Sequence, residues 1–227
     1  MEPKERMAAV DARLRATFGE PQRPKGIAPL ELLIRTILSQ NTSDRNRDLA
    51  YTMLRQRFPS WQEVLEAPLA EVAAAIRPAG LHKQRAKRIK DILRRIKEER
   101  AEIELTFLAD LPVEEAEKWL LSLPGVGKKT AYIVLLFAFG QPRFPVDTHI
   151  SRVTKRVGLW QGKGDPHRAL GAIVPSGREY ALHLNLIRLG RTFCRPRNPR
   201  CKDCPLADLC STGQKMKEEG KCAERKH

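Results

Sequence analysis

Apolar residues recur along this chain at helical spacing, and no segment long enough to judge shows the apolar–polar alternation of a half-buried strand. Leu30, Leu32, Leu33, Ile34, Ile37 and Leu38 outline a mostly buried helix, closed by the polar run QNTSD at Gln40–Asp44. Ile89, Ile92, Leu93 and Ile96 repeat at i, i+3, i+4 and i+7 inside a helix predicted over Gln84–Arg100. The same pattern predicts helices over Asp44–Arg57, Trp61–Ile76 with an interruption at Pro68, Pro112–Leu121, Lys128–Phe139, Thr148–Val157, His167–Ile173 and Arg178–Arg191. The expected fold is all-α, without internal repeats. The stretch 212–227 is polar and charged with little to bury, and a loose tail is expected there.

With 227 residues, the chain can form one domain or two modest ones. No apolar run approaches the ~20 residues that span a bilayer; the longest, Ala131–Phe139, reads as a core helix. The N-terminal MEPKERMAAVDARLR is charged and periodic and lacks the apolar stretch of a secretory signal. A cytoplasmic, nucleoid-associated protein is expected, with no membrane partner.

Charge narrows the class of partner. Lys plus Arg number 42 against 27 for Asp plus Glu, a formal net charge of +15, which favours an anionic polymer. One basic block, Lys83–Arg100, holds nine Lys or Arg and three acids. Part of it must be a solvated helix face.

The most unusual short stretch is SLPGVGKKTA, Ser122–Ala131. Pro124 ends one helix, and Gly125 and Gly127 allow the main chain positive φ before the next begins. Unpaired N–H groups at Gly125, Gly127 and the following helix start would make an anion site, with Lys128 adding attraction. A plain helix-to-helix turn with solvated lysines is the alternative. Lys129 shares that first turn, where the helix terminus and Lys128 both disfavour a further positive charge; an uncharged amine is the form that attacks carbon.

Eighteen residues after Lys129, Asp147 follows a Pro-containing loop in FPVDTHI and precedes an amphipathic helix. It is an N-cap by position, and a carboxylate held there can also serve chemistry. An amine and a carboxylate together suit cleavage of a glycosidic bond, which develops positive charge on the sugar.

All five cysteines fall after residue 193. Cys194, Cys201, Cys204 and Cys210 form C-x6-C-x2-C-x5-C, and Cys222 stands outside. Clustered thiols in a reducing compartment point to a metal rather than a disulfide frame. The six-residue first gap favours an iron–sulfur cluster over the tighter pairs of zinc sites. That gap reads RPRNPR, so Arg195, Arg197 and Arg200 form a basic loop able to grip phosphates.

LPGVGKKTA, VDTHI and the four-cysteine spacing together resemble endonuclease III, within the helix-hairpin-helix superfamily of DNA glycosylases, over about Pro29–Cys210. The resemblance implies a bifunctional base-excision repair enzyme, a DNA glycosylase that removes oxidised pyrimidines such as thymine glycol and an abasic-site lyase. It implies that Lys129 attacks the deoxyribose carbon, that Asp147 is the activating carboxylate, and that the four cysteines hold a [4Fe–4S] cluster. Its partner would be double-stranded DNA carrying a damaged base or abasic site, bound by a monomer that flips the nucleotide. Two helical domains are implied, a helix-hairpin-helix domain over 23–141 and a cluster domain of 1–22 with 142–211, with the active site in the cleft between them. Leu81, after Gly80, matches the family's apolar wedge, or else it is a core leucine at a helix start. Where the family commonly has SAQATD, this chain has SQNTSD at Ser39–Asp44. Asn41 thus stands where the family's gap-filling glutamine would be, and Gln40 sits one residue early.

Two competing functions are compatible with parts of this pattern. Thymine mismatch glycosylases resemble this family but carry another residue at the nucleophile position, which Lys129 argues against. A non-catalytic iron–sulfur DNA-binding or damage-sensing module would need the hairpin and cysteines, but not Lys129 with Asp147.

Overall fold

Capping residues decide where several of the helices start. In the computed structural model, which describes residues 1–218, α1 (Pro3–Phe18) opens with Pro3 and a reciprocal Glu2–Glu5 capping box. After α2 (Pro29–Ser39), the Ser43 hydroxyl accepts from Asn46 N–H to start α3 (Asp44–Arg57). Ser60 and Glu63 form a second capping box at α4 (Trp61–Glu66). The chain continues through α5 (Leu69–Ala75), α6 (His82–Glu99), α7 (Val113–Ser122), α8 (Lys128–Phe139), α9 (Thr148–Arg156), α10 (Pro166–Gly171), α11 (Glu179–Thr192) and α12 (Ser211–Glu218). Short 3₁₀ turns at Arg77–Ala79 and Thr106–Asp110 complete it, and there is no strand among the described residues. None of the described helices is long and apolar enough to cross a membrane.

Two compact units result: Lys25–Phe139, and Met1–Pro24 together with the chain from Gly140 onward. In the first, α8 is apolar on nearly every face, and Ala131, Val134, Leu135 and Leu136 are buried. It packs against α2 and α7, while α2 also meets α3 and α6. Leu33, Ile34, Ile37, Ile89, Ile92, Leu93 and Ile96 fill the space between them.

The predicted Trp61–Ile76 segment is two helices rather than one interrupted helix. Pro68 is the N-cap of α5, and its missing N–H prevents α4 from running on. Lys90 Nζ closes the break by donating to the carbonyls of Leu65, at 2.7 Å, and Ala67. A cation at the C-terminus of α4 also meets the negative end of its dipole.

The second unit packs α1, α9 and α11 around Met7, Val10, Leu14, Ile150, Val153, Leu182, Leu186 and Leu189. Buried Asp11 of α1 accepts from Arg178 Nε at 2.8 Å and Nη2 at 3.2 Å, tying α1 to the start of α11. That bond is the main reason the Arg178 pKa lies above the usual guanidinium value.

The region expected to be a loose tail begins instead as a helix, α12. Gln214 N–H donates to Cys210 O at 2.9 Å and its side-chain amide to Asp208 O at 2.7 Å. Main-chain pairing to the cysteine loop therefore supplies order that the polar composition does not suggest. Residues 219–227, including Cys222, lie outside the described residues.

Truncating Ile89 to alanine should leave a cavity in the core that α6 shares with its neighbours, costing about 2–5 kcal/mol. A lowered urea midpoint for Ile89→Ala, with helical circular dichroism intact in buffer, checks this.

Candidate active site and nucleic-acid interface

The connection from α7 to α8 is a type II turn. Pro124 and Gly125 occupy its centre, Gly125 has φ 72°, and Val126 N–H donates to Leu123 O at 3.2 Å. Leu123 and Val126 are buried, whereas Gly125, Gly127, Lys128 and Lys129 are exposed. The apolar pair thus anchors the turn in the core while its glycines and lysines face water. Only Gly125 adopts positive φ; Gly127 does not, contrary to expectation. A Cβ at Gly127 would meet nothing within 4 Å, so the absent side chain leaves the main chain open to a ligand instead of solving a backbone problem. The first N–H groups of α8 have no partner within the helix, and Lys128 and Lys129 flank them.

Asp147 is the N-cap of α9, where its Oδ1 accepts from Ile150 N–H at 2.7 Å. Two histidines hold the strand-like segment before it. Val146 N–H donates to His167 Nδ1 at 3.1 Å, and His183 Nδ1 donates to Pro145 O at 2.9 Å. A carbonyl can only accept, so His183 carries its proton on Nδ1. The carboxylate is partly exposed and its main chain is fixed from both sides.

Gln40, Asn41 and Leu81 behave differently from one another. Gln40 Oε1 accepts from Arg88 Nη1 at 2.8 Å, so its side chain is engaged. Asn41 is exposed and left-handed, with φ 53°. Leu81 is 60% exposed and also left-handed, with φ 48°, at the N-cap of α6. The core-leucine reading of Leu81 is therefore wrong: its side chain is mostly exposed, and its backbone bears a strain of about 1–2 kcal/mol.

Two arginines that sequence reasoning passed over organise this region. Arg85 is 2% exposed and donates to Leu38 O at 2.6 Å, to Ala79 O at 2.8 Å and to Gln40 O. Burial, followed by repulsion from Arg88, lowers its pKa from the usual guanidinium value. The Arg88 guanidinium lies against Gly125, where an added Cβ would collide with it. The signal for Arg85 was present, since position 85 continues the buried stripe of Ile89, Ile92, Leu93 and Ile96 one turn earlier. A charge on that face needed an explanation that composition could not provide.

In the other unit, Cys194, Cys201, Cys204 and Cys210 are free thiols lining one pocket, with Phe193, Ala207 and Gly213 among its walls. Arg156 Nη1 donates to Cys194 Sγ at 3.3 Å, and Gly213 N–H donates to Cys210 Sγ at 3.4 Å. Arg156 also donates to the carbonyls of Arg195 at 2.8 Å and Pro196 at 3.2 Å, shaping the basic loop. Arg195 and Arg197 are exposed. Arg200 is exposed too, but it pairs with Asp203 at 2.8 Å, so part of its charge is already answered.

Residues 34–173 match the family model described as HhH-GPD superfamily base excision DNA repair protein. Endonuclease III of Bacillus subtilis is 34% identical over 195 residues, covering 85% of each chain. A thymine/uracil-DNA glycosylase of Methanothermobacter thermautotrophicus is 30% identical over 195 residues, covering 82% of this chain and 83% of its own. Among solved structures, a trapped endonuclease III–DNA covalent intermediate superposes with a TM-score of 0.79 at 28% identity, over 96% of this chain and 100% of that one.

The two hairpin glycines should respond differently to alanine. Gly125→Ala should lose about 1–2 kcal/mol of stability through its left-handed backbone and displace Arg88. Gly127→Ala should stay within about 0.5 kcal/mol of wild type yet bind duplex DNA more weakly. Denaturant melts and fluorescence anisotropy on both variants check the contrast.

Proposed function

The chain belongs to the endonuclease III family of HhH-GPD base excision DNA repair proteins, and from that premise we propose that it excises oxidised pyrimidines, thymine glycol among them, through Lys129. As a member of that family it is a DNA glycosylase and abasic-site lyase acting on DNA. The observation that carries the residue assignment is the exposure of Lys129 in the first turn of a helix that is otherwise core. Packing gives no reason for an amine there; attack on an extruded sugar does.

In the proposed reaction Lys129 Nζ attacks C1′, and the bond to the base breaks with the base taking the electron pair. Asp147 is the carboxylate assigned to stabilise the positive charge that grows on the sugar. Proton loss from nitrogen and opening of the C1′–O4′ bond give an iminium joining Lys129 to C1′. Removal of a C2′ proton then expels the 3′ phosphate by β-elimination, and water releases the lysine. Gly125, Gly127 and Lys128 are assigned to the DNA backbone, where main-chain N–H groups and a cation position the duplex without reading sequence. Leu81 is assigned to the base stack and Asn41 to the gap left by the flipped nucleotide, with Arg195 and Arg197 on phosphates and Arg200 contributing less because of Asp203.

The four cysteines fit the proposed [4Fe–4S] cluster. They surround one largely apolar pocket, and two sulfurs already receive hydrogen bonds of the kind that stabilise thiolates. When bound, the cluster would cross-link the loop from Cys194 to Cys210. Arg156 would then hold the Arg195–Pro196 main chain beside it.

Borohydride trapping on duplex DNA with thymine glycol or an abasic site should yield a covalent adduct that Lys129→Ala abolishes. Asp147→Asn should slow single-turnover base release by about 10²–10⁴-fold while leaving DNA binding intact. An active wild type on G·T mismatches alone would instead favour a thymine mismatch glycosylase. Trapping and release on neither substrate would leave a DNA-binding module.

Cys201→Ser should remove the visible absorbance of iron–sulfur charge transfer and weaken duplex binding more at low salt than at high, because the loop it disorders acts on phosphates. Iron and sulfide assays on the purified variant check the loss of the cluster directly.

A further inference from the structure

Two left-handed residues, Asn41 and Leu81, sit at the ends of different helices in the Lys25–Phe139 unit, both exposed. Neither conformation is explained by burial, and a strained exposed leucine persists only where its surroundings leave it no alternative. Arg85 supplies that constraint. Its side chain grips Ala79 O, two residues before Leu81, and its main-chain N–H donates to Leu81 O at 3.0 Å. The same guanidinium grips Leu38 O and Gln40 O, the latter one residue before Asn41. All three carbonyls lie at the C-terminal ends of α2 and of the Arg77–Ala79 turn, where the peptide dipoles present negative charge. The last turn of α2 has no basic residue of its own, so Arg85 provides the cation from another element.

Stability alone would not select this arrangement. A buried cation with no carboxylate among its partners costs more than an apolar side chain of similar size. What only a multi-donor cation supplies is a fixed spacing between two chain segments, since each donor holds one carbonyl in direction as well as distance.

We infer that Arg85 is a positioning residue for nucleotide extrusion, locking the Leu81 loop and the Asn41 loop into one rigid unit that enters the base stack. This rests on the proposed glycosylase reading. Arg88 extends the lock, because it holds Gln40 Oε1 and lies against Gly125 of the hairpin.

The test compares full-length wild type, Arg85→Met, Arg85→Lys, Leu81→Ala and the Arg85→Met/Leu81→Ala double variant. The probes are duplex DNA with thymine glycol, single-stranded DNA with an abasic site, and a duplex carrying 2-aminopurine next to an abasic site. Arg85→Met should slow base release from the duplex by roughly tenfold to a hundredfold, suppress the 2-aminopurine signal, and leave lysine trapping on the single strand unchanged. Arg85→Lys, which keeps the charge and three donors but not the planar fork, should restore both duplex readouts only in part. The double variant should be no slower than Leu81→Ala, since both changes disable one device.

The inference is overturned if Arg85→Met opens and cleaves the duplex at the wild-type rate. It is equally overturned if the variant loses single-strand and duplex activity in the same proportion as it loses thermal stability. Should Arg85→Met fail to fold, Arg85→Gln carries the same comparison with two donors and no charge. Absence of lysine trapping by wild type would refute the parent reading instead, and the 2-aminopurine signal would still decide the role of Arg85.

Discussion

The constraint on which the rest depends is that α8 must be buried. From Thr130 to Leu136 its side chains have no polar face to offer water, so the helix has to run through the interior of its unit. A helix placed that way meets solvent mainly at its ends. The type II turn before it, anchored by Leu123 and Val126, brings that end to the surface and leaves Lys128 and Lys129 there. The position of the amine thus follows from the hydrophobic effect acting on the residues after it.

A surplus of arginine serves two separate purposes in this chain. Arg85, Arg152 and Arg156 donate to main-chain carbonyls, fastening loops to helix ends. Arg195 and Arg197 stay exposed and add to the field that an anionic polymer would feel. The planar fork of guanidinium suits the first role better than an ammonium does, since it fixes direction for several acceptors at once. Net charge alone cannot distinguish these groups, because a fastening arginine and a free one count equally toward +15.

Local signals made much of the architecture legible in advance. The all-α class and the span of α8 came from periodicity, and the break at Pro68 was visible, although not that it separates two distinct helices. Asp147 could be named as an N-cap because its neighbours show the amphipathic pattern that follows one. What stayed hidden depends on contacts between distant segments. The exposure of Leu81 is one case. Arg85 was overlooked within a basic block for the same reason: its carbonyl partners at Leu38 and Gln40 lie more than 40 positions earlier. The order of α12, by contrast, rests on Cys210 and Asp208, four and six positions before Gln214.

One consequence concerns the order in which the chain leaves the ribosome. The unit built on Lys25–Phe139 is continuous in sequence, whereas α1 must wait for α11, and the Asp11–Arg178 pair closes across 167 positions. Synthesis at about 5–20 residues per second leaves α1 without its partners for many seconds, while the continuous unit can already fold. Met7, Val10 and Leu14 lack their packing partners during that interval.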